Sequence, residues 1–197
     1  VSMDSGYRTS WGRGWLQRGG VFVLSNIRGG GEFGPAWHQS AILQNKQRSY
    51  DDFIAVAEDL VRRGITQPRR LGIMGGSNGG LLVGAVAVQR PELFNAVVCQ
   101  VPLLDMQRYH KLLAGASWME EYGDPRKSDD WLALSRFSPY QNMRAGTKYP
   151  RTLFTTLLGV ALPEELAKFS VLYLYARRHR AFDEPVRTYS SGMRSRL

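Results

Sequence analysis

The sequence predicts an α/β fold with a mostly parallel sheet and helices on both faces. Two observations carry that prediction. Short apolar runs of strand length alternate with segments of helical periodicity, the order of a wound parallel sheet. One such run enters a glycine-framed serine and leaves it as a small-residue helix, in RLGIMGGSNGGLLVG over residues 70–84. Right-handed crossovers between parallel strands place the helices on the two faces.

The elements follow in chain order. GVFVLSN (20–26) stands at a glycine pair and reads as a buried strand. IRGGGEFGP is a glycine-dense loop, and AWHQSAILQNK (36–46) is moderately helical. SYDDFIAVAEDLVRRG (49–64) is the clearest helix, because Phe53, Ile54, Val56, Ala57, Leu60 and Val61 recur at helical spacing. Ser49 with Asp52 has the form of a capping box, and Gly64 stands at the stop position. RRLGIM (69–74) is a strand, SNGGLLVGAVAVQ (77–89) a helix and NAVVCQV (95–101) a strand, and KYPRTLFTT (148–156) holds another. No internal repeat or low-complexity segment is present.

Beyond that strand, Pro163, Glu164 and Glu165 precede Leu166, Phe169, Tyr173 and Ala176 at helical spacing, with Arg177, Arg178 and Arg180 at the far end. This reads as an amphipathic helix. The same residues also fit a shifted or fused reading frame with accidental periodicity, and the pattern leaves both open. The expected organisation is a domain over 1–156 and a divergent tail over 157–197, one helix followed by a disordered end.

Composition excludes several classes. A hydrophobic fraction of 43% suits a sizeable core. The 26 Lys+Arg against 17 Asp+Glu give +9, which allows an anionic partner. The arginines are scattered, however, and the densest cluster is Arg177-Arg178-His179-Arg180. That favours a solvated surface, and neither a nucleic-acid nor a membrane partner is expected. A single cysteine, Cys99, excludes an intramolecular disulfide and a cysteine-rich metal site. Its setting in AVVCQV is that of a buried small hydrophobe. No apolar stretch reaches the ~18 residues of a membrane helix, and no signal-peptide pattern opens the chain. The cytoplasm is the expected compartment.

Gly75-Gly76-Ser77-Asn78-Gly79 matches G-x-S-x-G. The pattern alone is weak, but its setting between an apolar strand and a helix strengthens it. A sharp strand-to-helix turn projects a serine oxygen above the sheet. The flanking glycines are expected because a Cβ there would meet the neighbouring strand or helix. The helix N-terminus favours a developing anion, and the backbone N–H of Asn78 is a candidate oxyanion donor. The competing readings are a phosphate loop or a plain turn, and the first lacks the following Lys-Ser/Thr.

NIRGGGEFGPAWHQ, YDDFIAVAEDL, RLGIMGGSNGGLL, QRPELFNAVVCQVPLLDM, YHKLLAGASWMEEYGDP and SPYQN follow in one order. Together they resemble the catalytic domain of the prolyl oligopeptidase family of serine peptidases, from about Trp15 to Thr156. The resemblance implies part of an α/β-hydrolase domain, without the family's propeller, and hydrolysis of short proline-containing peptides with no cofactor and no metal. It assigns Ser77 as nucleophile and Asn78 as backbone oxyanion donor. Trp118 matches the indole that stacks on the substrate proline, Tyr122 another wall of that pocket, and Leu103 an aliphatic wall. A flat proline ring is well held by an aromatic face and apolar walls.

A serine nucleophile needs a histidine base and a carboxylate that orients it, in the chain order Ser, Asp or Glu, His. Of the three histidines, His38 precedes the serine, and both His38 and His110 match structural positions of the family. His179 lies late enough but between two arginines, whose charge disfavours an imidazolium. Where the family continues into Asp-Asp-Arg after the LFTT strand, this chain reads LLGVALPEEL, with Val160 at the place of the first aspartate. No Gly-His segment follows, and the family's upstream Tyr-Gly-Gly-Phe is not matched. Asp105 is a substitute acid by position. The chain is therefore expected to be inactive or severely impaired as a peptidase. Two alternatives stand beside this: a non-catalytic binding or assembly fragment, and an esterase-like hydrolase of small esters. Oligomeric state is not readable.

Overall fold

The computed structural model describes residues 9–112 and 114–155. The tail helix expected over 163–176, Val160 and His179 lie outside these residues. Helices α1 (Thr9–Gly14), α2 (Pro35–Gln39) and α3 (Gln47–Arg62) precede strand β1 (Gly72–Gly76). Helix α4 (Asn78–Gln89) leads to β2 (Ala96–Gln100). Short helices α5 (Met119–Tyr122), α6 (Ser128–Phe137) and α7 (Pro139–Asn142) precede β3 (Arg151–Thr155). The sheet is parallel in the order β1-β2-β3, with Ile73 opposite Val97 and Val97 opposite Thr152. The α/β class and the parallel sheet expected from the sequence are those observed.

Helix α4 is apolar nearly all round, and Leu81, Val83, Ala85 and Val86 are buried. Such a helix belongs between layers. It covers the sheet face carrying Ile73, Val97 and Cys99, with α3 and α7 packed against it. Right-handed crossovers put helices on both faces only where the winding reverses direction. The order β1-β2-β3 contains no reversal, so the expectation of two covered faces is not met among the described strands. The opposite face, with Met74 and Leu153, is left partly exposed.

Three local expectations are corrected. Residues 20–26 form no strand, and Val21 is 65% exposed. An apolar run becomes a strand only where a second backbone completes the ladder, and no described segment does so here. The capping box at Ser49 and Asp52 is absent, because α3 already begins at Gln47. Ser49 instead donates its hydroxyl to the Arg28 carbonyl, 2.7 Å away, and Asp52 accepts from the Arg28 N–H and guanidinium. A tertiary contact with the glycine-rich loop has replaced the local cap. The 36–46 helix is interrupted after Gln39, where α2 stops. The stop at Gly64 is as expected: φ is +70°, and the N–H groups of Gly64 and Ile65 reach the carbonyls of Val61 and Leu60. This is a Schellman motif.

Candidate active site

Strand β1 ends at Gly76 and helix α4 begins at Asn78, so Ser77 is the whole turn between them. Its backbone sits at φ 55°, ψ −117°, a conformation that side-chain-bearing residues rarely hold. The strain is offset by bonds on either side: Ser77 N–H donates to the Gln100 carbonyl at 2.9 Å, and Leu81 N–H donates to the Ser77 carbonyl at 3.1 Å. The serine is exposed at the carboxyl edge of the sheet. Helix geometry leaves the N–H of Asn78 without an intrahelical acceptor. An anion forming beside Ser77 therefore meets the positive end of α4.

The glycines divide by what a Cβ would meet. On Gly75 it would stand 2.1 Å from the Gly79 carbonyl oxygen, and on Gly80 2.7 Å from that of Gln100. Both close approaches require glycine. Gly79 faces open space, which corrects the expectation that each glycine of the motif avoids a collision.

Tyr122 lies in α5, 44 residues beyond Asn78, yet its hydroxyl donates to the Asn78 side-chain oxygen at 2.8 Å. The ring is 4% exposed and meets Tyr109 edge-on at a centroid distance of 5.7 Å. Burial first, then the charge of Glu121, pushes the Tyr122 phenol well above its ordinary value. It therefore stays protonated and remains a donor. Trp118 and Leu103 are half-buried and pack on the same apolar core as Tyr122. Pockets among the described residues include an open one of about 290 Å³ beside Arg28, Trp37 and Asp52 and one of about 120 Å³ between α4, α7 and β3. Neither is lined by Ser77, Trp118, Tyr122 or Leu103.

Among the described residues no side chain is hydrogen-bonded to the Ser77 hydroxyl. His38 donates from Nδ1 to the Gly29 carbonyl at 2.7 Å, and its Nε2 stands 3.5 Å from Glu121. The Nδ1 of His110 is buried without a partner in the described residues. The Asp105 carboxylate is occupied by Gln141, Arg108 and the N–H of Gln107. Partial burial opposes its ionisation, but those hydrogen bonds together hold the carboxyl below the usual range. No histidine is among its partners. Cys99 is fully buried, and burial pushes its thiol up to about 11. No group of three or more metal-ligating side chains occurs among the described residues, and no described helix is long and apolar enough to cross a membrane.

Sequence reasoning missed Lys46 and Glu121. The Lys46 ammonium is ion-paired with the Glu121 carboxylate while its side chain is only 2% exposed. A lysine inside NKQ carries no local sign of burial. The only available hint was that Glu121 adjoins Tyr122.

The chain is 52% identical over 156 residues to an uncharacterized peptidase of Sinorhizobium fredii, covering 79% of this chain and 22% of that one. It is 44% identical over 138 residues to a prolyl endopeptidase of Dictyostelium discoideum, covering 70% and 18%. Among solved structures, a prolyl endopeptidase superposes with a TM-score of 0.76 at 52% identity, covering 78% of this chain and 23% of that one. A post-proline cleaving enzyme of Rickettsia typhi gives 0.73 at 50%, covering 74% and 21%. The chain thus spans about a fifth of the length of these relatives. The family model described as the prolyl oligopeptidase family matches residues 7–158, from before α1 to just past β3. On that match and the α/β-hydrolase sheet beneath it, the chain belongs to the prolyl oligopeptidase family.

Proposed function

We propose that this chain is the nucleophile-bearing, proline-binding portion of a serine peptidase acting on short proline-containing peptides. We further propose that by itself it turns over no prolyl bond. The observation that carries the reading is the strained strand-to-helix turn holding Ser77 beside the N–H of Asn78, which has no acceptor within its own helix. In such a site the serine oxygen attacks the carbonyl carbon of the prolyl bond. The oxyanion forms against the first turn of α4, and the proline ring lies against Trp118, Tyr122 and Leu103.

The reaction stops at the proton. The serine proton must pass to a base as the C–O bond forms, and the leaving amine must be protonated as the C–N bond breaks. No described histidine reaches Ser77, Asp105 is committed to Arg108 and Gln141, and by the resemblance Val160 falls at the place of the family's aspartate. Loss of a triad member leaves only ~10³–10⁴-fold catalysis over water.

A fluorophosphonate probe and a prolyl-amide substrate test this together. The expected result is negligible labelling, no detectable turnover, and no further loss on Ser77→Ala. Robust turnover abolished by Ser77→Ala would show that a base reaches the serine. Turnover of small esters but not prolyl amides would favour the esterase reading.

A further inference from the structure

Lys46 is the only charged residue whose side chain is buried among the described residues. Burying an ammonium is costly unless its partners are well placed, and here they are. The Nζ atom is ion-paired with Glu121 and stands 5.2 Å from the centroid of the Tyr122 ring. These two residues are neighbours in α5, so one ammonium grips both. A cation over a phenol ring draws charge from it and strengthens its hydroxyl as a donor. That hydroxyl donates to Asn78, the residue after Ser77. The second oxygen of Glu121 faces His38. Tyr50, 1% exposed, places a hydroxyl without a described partner in the same interior.

We propose that Lys46 is a positioning residue for the Ser77 site: through Glu121 and Tyr122 it holds the Asn78 side chain, and with it the first turn of α4. This rests on the reading of Ser77 and Asn78 as the reacting end of the site. Lys46 does not touch the serine, and it meets the proposed proline wall only from behind, at the Tyr122 ring. It acts from the start of α3, over 30 residues before the nucleophile, by fixing α5 against α4.

The test is nuclear magnetic resonance on the full chain. Lys46→Met keeps an unbranched apolar side chain and removes the charge, Lys46→Arg retains the charge, and Tyr122→Phe removes only the hydroxyl. Lys46→Met should shift the Asn78 backbone and side-chain amide resonances in the same direction as Tyr122→Phe. The double variant should add nothing further, because both act through one hydrogen bond. Lys46→Arg should restore the native positions. If Lys46→Met only lowers thermal stability and leaves the Asn78 resonances in place, the proposal is overturned. Should Lys46→Met not fold, Glu121→Gln is read the same way, with the same two outcomes. N-acetyl-prolinamide serves as the separate probe of the proline site. If the native chain does not bind it, the proline-binding reading fails while the Asn78 resonances still decide the role of Lys46. If it binds, Lys46→Met should weaken it about tenfold, as expected for residues coupled through a shared hydrogen bond.

Discussion

The Tyr122 hydroxyl and the Asn78 side-chain oxygen, 2.8 Å apart, join α5 to the first turn of α4. This bond ties the wall expected to hold a proline ring to the residue that follows the candidate nucleophile. A change on one side is therefore felt on the other.

Removing that bond alone should be measurable. Tyr122→Phe keeps the buried ring but leaves Asn78 without its donor, and a net loss of about 1 kcal/mol is expected. Urea denaturation of both chains checks the value, and an unchanged midpoint would show that the bond contributes nothing.

The two glycines flanking the serine should behave oppositely. Gly75→Ala drives a Cβ into the Gly79 carbonyl and should cost about 3 kcal/mol. Gly79→Ala meets open space in the first turn of a helix and should stabilise by about 0.5–1 kcal/mol. Equal effects in thermal melts would contradict the collision argument.

Ser77 holds a backbone conformation that glycine adopts more easily. Ser77→Gly should raise stability by about 1 kcal/mol, the low end of the cost of such strain, while removing the reactive oxygen. Circular dichroism melts of Ser77→Gly and Ser77→Ala separate relief of strain from simple loss of the hydroxyl.

The Arg28–Asp52 pair sets a pH dependence. The Arg28 side-chain hydrogen bond, opposed by partial burial, lowers the Asp52 carboxyl from its ordinary 3.8. The unfolded chain then binds the proton more tightly, so the contribution is complete above that value and is lost as pH falls through the lowered one. Partial exposure holds it to about 1 kcal/mol. Asp52→Asn should be destabilised by that amount at neutral pH, with the gap closing at acid pH. A gap that persists below the aspartate range would assign it to something other than ionisation.

Cys99 is buried, its thiol is pushed up to about 11 by burial, and its sulfur lies 3.2 Å from the Gly80 carbonyl. A thiol reagent at pH 8 should therefore react only after denaturant is added. Rapid reaction of the native chain would mean that α4 separates readily from β2.

Features whose cause is local are legible along the chain. The strand-turn-helix at Ser77 follows from an apolar run, a glycine with no room for a Cβ, and a small-residue helix, all within a few residues. The Schellman stop at Gly64 and the burial of Cys99 are local in the same sense. The tertiary structure decided what depends on a distant partner. Residues 20–26 carry a strand's composition but lack a described neighbour to complete a ladder. Ser49 and Asp52 have the spacing of a cap but spend their hydrogen bonds on Arg28. The site shows the same division: Ser77 and Asn78 can be read from neighbours in the chain, whereas Lys46 comes to lie under Tyr122 only when the turn that precedes α3 packs on α5. Hydrogen bonds and ion pairs are won by whichever groups the fold brings within reach, and spacing along the chain does not encode that competition.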